Sequence, residues 1–328
     1  MTANADRLPS DEIARAVLAR VAPGSTLREV APLPGSYSNY SHLVRGATAA
    51  GDDLCVVIRR YRIWHHTAAD HTNAAARARR EYTTLGLLRR HGIPAPQPLL
   101  LDETGERLGS PGIVTRYVPG AQVEEPPDPV RCAESLAVLL ARLHGVPIDA
   151  ETRDVLLDVN DEATWFLRGG TIPPYMEADP DGAAVWHAVR GHLGRRQSVR
   201  PTLVHTDYWP GNILWVGDTI SAVLDLEEAG IGDPAIDVAY CRMDIAIRGY
   251  EEAAAAFLAR YEAETGAVVA NLALWELAAA ARAMHDPAGW IDYSPARERF
   301  RGFVADALRR LRPDPGGQAS EAPVPRRT

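Results

Sequence analysis

Between Val204 and Leu214 the chain reads VHTDYWPGNIL, which gathers a histidine, a carboxylate and a carboxamide as His205, Asp207 and Asn212. In AVLDLEEAGIGDPAID, thirteen residues past Asn212, Asp225 follows the apolar run Ala222 to Leu224 and so stands at a strand end. These three oxygen-bearing groups suit phosphoryl transfer. One carboxylate orients a hydroxyl and accepts its proton, while an amide oxygen and a second carboxylate hold Mg²⁺, a hard ion that prefers oxygen. Taken singly they are also common turn residues. A zinc site needs three or four N, O or S ligands, and His205 has no second histidine at ligand spacing.

Such a constellation requires a loop bent sharply enough to present Asp207 and Asn212 together, and a short hairpin returning to Asp225. Pro210 and Gly211 supply the bend. NILWV and SAVLDLE read as the hairpin strands, with TLVHTD as a strand entering the loop. Upstream, SDEIARAVLARV reads as a capped helix, followed by the strand-like segments TLREVAPL, NYSHLVRG and LCVVIRRY. A helix is expected from about Ala68 to His91, ending at Gly92. IPAPQPLLL reads as extended, and GIVTRYVPG as a strand leading to a turn. Beyond Gly120 the texture is amphipathic helix. The tail RPDPGGQASEAPVPRRT has the composition of disorder.

The 328 residues are 46% hydrophobic and 24% charged, a composition that supports a normal globular core. The net charge of −8 argues against a nucleic-acid partner. No apolar run is long enough to span a bilayer, and MTANADRLPSDE lacks the pattern of a secretory leader, so a cytoplasmic protein is expected. The three scattered cysteines support neither a disulfide framework nor a zinc cluster. All 35 basic residues are arginines, which excludes any chemistry that needs a lysine.

LVHTDYWPGNILW followed by AVLDLEEAGIGDPAIDVA resembles the aminoglycoside phosphotransferase and choline kinase-like family. The loop spacing H-x-D-x-x-x-x-N is that of protein kinases as well. The resemblance implies an α+β, two-lobed protein-kinase-like fold. Its parts would be an N-terminal helix (1–24), a small antiparallel-sheet N-lobe (25–115), a hinge (116–120), a mainly helical C-lobe (121–312) and a tail (313–328). It implies Asp207 as the hydroxyl-orienting base and Asn212 and Asp225 as Mg²⁺ ligands, with Glu227 a further acid near the metal. His205 and Asp237 would brace the loop. Thr206 stands where many relatives have glycine.

The family's phosphate-clamping lysine is replaced here by Arg59, with Arg60 as the alternative, paired to Glu81 of the following helix. Arginine keeps the charge and adds bidentate geometry. Ser36, Tyr37 and Ser38 would contact the β/γ-phosphates, and the backbone of Arg116, Tyr117 and Val118 would meet the purine of ATP or GTP. Candidate acceptor contacts are Glu228, Asp244, Asp292 and the stretch Asn160 to Trp165. WHHTAADH, with Trp64, His65, His66 and His71, reads as a helix entry.

The activity implied is Mg²⁺-dependent transfer of a nucleotide γ-phosphate to a small hydroxylated acceptor by a monomer or homodimer, with no nucleic acid or membrane partner. The acceptor would be an antibiotic of the aminoglycoside type or a metabolite such as choline, homoserine or a sugar. The rival readings are a nucleotide-binding pseudokinase-like module and a metal-dependent phosphohydrolase.

Overall fold

The computed structural model describes residues 8–33, 39–63, 68–288 and 290–311, with only the helical backbone given for 68–71. The expected phosphate-covering residues Ser36, Tyr37 and Ser38 lie outside the described residues. So do the side chains of the WHHTAADH stretch and everything beyond 311.

Helix α1 (Asp11–Val21) begins where Ser10 accepts from the Ile13 N–H, a side-chain N-cap. It leads into β1 (Thr26–Pro32), β2 (Tyr40–Ala47) and β3 (Asp53–Arg60), an antiparallel meander. After α2 (Ala68–Arg90) come β4 (Pro98–Asp102) and β5 (Gly112–Arg116), which complete a five-stranded sheet in the order β1-β2-β3-β5-β4. The alternation of β3 decides what each face does. Leu54, Val56 and Ile58 are buried against Val17 and Leu18 of α1, while Arg59 points to the opposite face. On that second face α2 packs Leu85 and Leu88 into the main core with Ile113.

The chain then turns helical. It runs through α3 (Pro129–His144) and three one-turn helices, α4 (Ala150–Arg153), α5 (Val159–Glu162) and α6 (Pro174–Glu177), with β6 (Leu157–Asp158) among them. Helix α7 (Gly182–Leu193) precedes β7 (Thr202–Val204), the hairpin β8 (Ile213–Val216) and β9 (Thr219–Val223), and β10 (Gly230–Gly232). Helices α8 (Ala235–Ile247), α9 (Glu251–Thr265), α10 (Leu272–His285) and α11 (Ala296–Leu311) close the lobe. Helix α10 carries an almost unbroken buried run, Leu274 to Ala281, against α8 and α11.

Two short sheets position the loop chemistry. In β7 and β10 Val204 pairs with Gly230, which brings His205 beside the segment that follows Asp225. Only glycine fits at 230, since a Cβ there would lie 2.1 Å from Val159 Cγ1. In the hairpin Ile213 pairs with Val223, and the Leu224 N–H donates to Asn212 O at 2.9 Å. Asn212 and Asp225 therefore flank the open end of one hairpin. The segment after the N-lobe sheet is tied to this hairpin by reciprocal 2.9 Å hydrogen bonds between Ala121 and Trp215. Among the described residues no helix is long and apolar enough to cross a membrane.

Candidate active site

The loop from His205 to Asn212 is held by buried groups on three sides. Asp237, in the first turn of α8 and fully buried, accepts the His205 N–H on Oδ2 and the Thr206 N–H on Oδ1, both at 2.7 Å. The same carboxylate lies 3.0 Å from His144 Nε2, and His144 Nδ1 accepts from the Tyr261 hydroxyl at 2.6 Å. The His205 Nε2–H donates to Leu224 O at 2.7 Å, and its Nδ1 accepts the Asp207 N–H at 3.3 Å. The histidine thus joins the catalytic loop to the strand end that carries Asp225.

Thr206 adopts φ 73°, the left-handed region that costs a β-branched residue energy. Its backbone is fixed on both sides, by Asp237 at its N–H and by Arg282 at its carbonyl at 3.0 Å. Those two hydrogen bonds hold the threonine in this conformation. Asp237→Ala leaves two N–H groups of this tight loop without an acceptor, at roughly 1–3 kcal/mol each. We expect a lower denaturation midpoint together with loss of any loop-dependent activity, checked by urea titration.

Asp207 is held by Asn212, whose Nδ2 donates to both Asp207 O and Oδ2 at 2.8 Å, which leaves the Asn212 carboxamide oxygen for other work. Arg282 of α10 approaches Asp207 Oδ1 at 3.4 Å, and the Tyr240 hydroxyl hydrogen-bonds the same carboxylate. Burial pushes the Asp207 carboxyl up, but Arg282, Tyr240, His205 and Asn212 together outweigh it and hold it below its ordinary value. It is an ionised acceptor of hydrogen bonds at any working pH.

On the N-lobe side Arg59 Nη2 lies 2.6 Å from Asp225 and 3.2 Å from Glu227, and its Nε lies 3.3 Å from Glu81. Arg60, one residue on, faces the other way and donates to Leu108 O at 3.4 Å. Asp225 sits at φ 63°, a conformation aspartate tolerates. Burial raises its carboxyl, and Arg59 opposes that rise. Glu227 has both oxygens engaged, Oε1 by Arg77 at 2.5 Å and Oε2 by Asn39 at 2.6 Å and by Arg59. Burial would raise it, but Arg59 and Arg77 hold it below its ordinary value. Carboxylate oxygens of Glu81, Asp225 and Glu227 lie within 4.8 Å of one another. Hard oxygen donors of this kind suit Mg²⁺, and Asn212 stands on the same hairpin mouth as Asp225.

Glu81 also receives the Tyr61 hydroxyl. Burial pushes the Glu81 carboxyl up from 4.5 to about 7 despite the pull of Arg59. Between those two values the folded chain keeps a proton that the unfolded chain releases, so stability falls as the pH rises through the window. Glu81→Gln, permanently neutral, should flatten this slope. Melting temperatures at pH 5 and pH 8 check it, and an unchanged slope would contradict the assignment.

At the hinge, the Arg116 N–H donates to Gln97 O at 2.9 Å and the Tyr117 N–H to Cys55 O at 3.1 Å, both within the N-lobe.

A cavity of about 600 Å³ opens next to the loop, lined by Thr206 and by Tyr240 and Arg282, the two side chains that attend the Asp207 carboxylate. Of the acceptor candidates, Glu228, Glu162, Ala163 and Trp165 line it. Asp244 does not. It is fully buried and paired with Arg248 at 2.9 Å and the Trp290 N–H at 3.2 Å, which makes it a helix-packing ion pair. Asp292 lies elsewhere on the surface with Arg297. Asn160 instead accepts the Asp233 N–H.

Sequence reasoning missed Arg282, Tyr240, Asn39 and Arg77. A signal existed for two of them. Arg282 is the single charge in the run LAAAARAM, and Arg77 stands four residues before Glu81, on the same helix face.

Residues 29–275 match the phosphotransferase enzyme family. The chain is 30% identical over 172 residues to homoserine kinase of Nitrobacter winogradskyi, covering 48% of this chain and 49% of that one. It is 29% identical over 175 residues to mouse acyl-CoA dehydrogenase family member 10, covering 49% of this chain and 16% of that one. The matched region thus spans about half the length of the homoserine kinase and a small part of the mouse protein. Among solved structures, a Ralstonia eutropha protein assigned as an aminoglycoside phosphotransferase superposes with TM-score 0.64 at 18% identity, over 93% of this chain and 98% of that one. The GDP and kanamycin complex of APH(2″)-IIIa gives TM-score 0.58 at 16% identity, over 90% and 96%. At these identities the structural likeness carries the fold, a two-lobed protein-kinase-like one.

Proposed function

The chain belongs to the phosphotransferase enzyme family, and we propose that it transfers the γ-phosphate of a nucleotide to a hydroxyl of a small molecule. The observation that carries this reading is the meeting of Asp207, Asn212 and Asp225 at one hairpin mouth, opposite Arg59 and Glu81 and beside an open cavity.

In this reading the acceptor hydroxyl donates a hydrogen bond to Asp207. Its oxygen forms a bond to the γ-phosphorus as the bond to the β,γ-bridging oxygen breaks, and the hydroxyl proton passes to Asp207. The low proton affinity of Asp207 makes it foremost an orienting group, which suffices for a loose transition state that demands little from a base. Asn212 and Asp225 would hold Mg²⁺, with Glu227 as the third acid of the set. Bound there, Mg²⁺ would neutralise charge on the β- and γ-oxygens. Arg59, released from its carboxylates, would take the α/β-phosphates, steered by Glu81. Val118 would meet the base of ATP or GTP, and Ser36, Tyr37 and Ser38 would cover the phosphates.

Two acceptor classes meet these minimum demands. One is the aminoglycoside-type antibiotic, named in the structural neighbours. The other is the small metabolite alcohol, named in the homoserine kinase relatives. The test is incubation with Mg²⁺ and ATP or GTP against a panel of antibiotics, amino alcohols, hydroxy acids and sugars, read by mass spectrometry. A phosphorylated acceptor whose formation requires Asp207 supports the reading. Nucleotide binding with no transfer to any acceptor would instead favour the pseudokinase-like module.

A further inference from the structure

The cavity next to the loop has a charge pattern that bears on its occupant. Three guanidiniums line it, Arg77 and Arg80 from α2 and Arg282 from α10, against two carboxylates, Glu162 and Glu228. Neither carboxylate is in surplus. Glu162 is paired with Arg168 at 3.0 Å, and Glu228 lies 3.9 Å from Arg282.

Arg80 is the decisive side chain. It is 8% exposed, with Nε donating to Val155 O at 2.8 Å and Nη1 to Glu227 O at 2.5 Å. Those carbonyls orient it without neutralising it. Among the described residues, no carboxylate forms an ion pair with Arg80, whereas the part-buried Arg59, Arg77, Arg242 and Arg248 are all ion-paired. A buried cation held in place by neutral oxygens at a cavity wall is poised for an anion that arrives with a ligand. The lining is also apolar and aromatic in part, with Trp275 and with Trp165, itself stacked on Tyr175 at 5.9 Å. A cavity of about 600 Å³ holds a small molecule with an apolar face.

We propose that the acceptor carries an oxyanion, a carboxylate or a phosphate or sulfate ester, received by Arg80 while its hydroxyl meets Asp207, and that polycations are excluded. This rests on the phosphotransfer reading only for the orientation of the hydroxyl; the anion site stands on its own geometry.

The test is calorimetric titration of the full chain, without nucleotide, using paired probes. A set of hydroxy acids from 4-hydroxybutyrate to 4-(hydroxymethyl)benzoate is compared with the corresponding primary amides and with kanamycin. At least one acid should bind about tenfold or more tightly than its amide, and more tightly than kanamycin. Arg80→Gln should remove that preference. If no acid outbinds its amide, or kanamycin binds best, the proposal is overturned. If Arg80→Gln folds and keeps the preference, the assignment to Arg80 is overturned. Should that variant fail to fold, the wild-type pairs decide alone. Because binding is read without nucleotide, acid preference here combined with no transfer to any acceptor in the nucleotide panel would sink the phosphotransfer reading and leave the anion site standing.

Discussion

Asp207→Asn should lower phosphate transfer to the acceptor by about 10²- to 10⁴-fold while leaving nucleotide affinity within a few-fold of the parent. The substitution is nearly isosteric, and Asn212 Nδ2 can still donate to the oxygen of the new carboxamide and to the backbone carbonyl. What disappears is the negative charge that Arg282 at 3.4 Å and the Tyr240 hydroxyl attend. The acceptor hydroxyl then meets a group that cannot take its proton and that presents an N–H on one side.

Folding should not suffer much. Asp207 is partly accessible, and Arg282 keeps the Thr206 carbonyl at 3.0 Å and stacks over the Tyr240 ring at 5.0 Å. Melting curves that overlay those of the parent, beside a collapsed turnover number, would separate a chemical role from a structural one. Retained turnover would remove Asp207 from the mechanism.

Much of this site could be read in the sequence because it is built on local geometry. The H-x-D-x-x-x-x-N loop, the bend at Pro210 and Gly211, and the short hairpin to Asp225 lie within about twenty residues, and their chemistry is fixed by residue type. Gly211 shows how tight the bend is, since a Cβ there would lie 2.2 Å from the Trp209 ring. The choice of Arg59 over Arg60 could not be settled from sequence. It depends on which face of β3 meets α2, and that depends on Leu54, Val56 and Ile58 being claimed by α1.

The cavity was the least legible part. Its walls come from α2, from the segment around Trp165 and from α10, elements far apart in the chain and brought together by packing alone. Acidic residues looked like acceptor contacts in the sequence because exposed and buried carboxylates read alike there. The structure sorts them by partner. Asp244 belongs to Arg248 and the Trp290 N–H, and Asp292 to Arg297. The left-handed φ of Thr206 leaves no trace in its residue type, and its physical cause lies in Asp237 and Arg282.

Arg59→Met should destabilise the ion-free protein by about 3–5 kcal/mol at pH 8, the usual cost of removing one partner from a buried ion pair. The guanidinium is the cation common to Glu81, Asp225 and Glu227, at 3.3, 2.6 and 3.2 Å. Without it Glu227 still has Arg77 at 2.5 Å, but Asp225 and Glu81 lose their nearest ion-pair partner. The loss should be smaller at pH 5, because Glu81, already raised to about 7 by burial, is then protonated and carries no charge to be compensated.

Mg²⁺ provides the discriminating arm. A divalent ion that takes the same oxygens should restore much of the variant's stability and stabilise the parent less, since in the parent the ion competes with Arg59. Nucleotide affinity should fall about 10- to 100-fold if the arginine grips phosphate oxygens, with Arg59→Lys recovering part of it as a point charge. Denaturant titration at pH 5 and 8, with and without Mg²⁺, reads the first set of effects, and nucleotide titration reads the second. If the methionine variant were as stable as the parent at pH 8 without Mg²⁺, the three carboxylates could not share the ionised cluster described here. If its stability dropped but nucleotide affinity held, Arg59 would be a plug for the ion site rather than a clamp for phosphate.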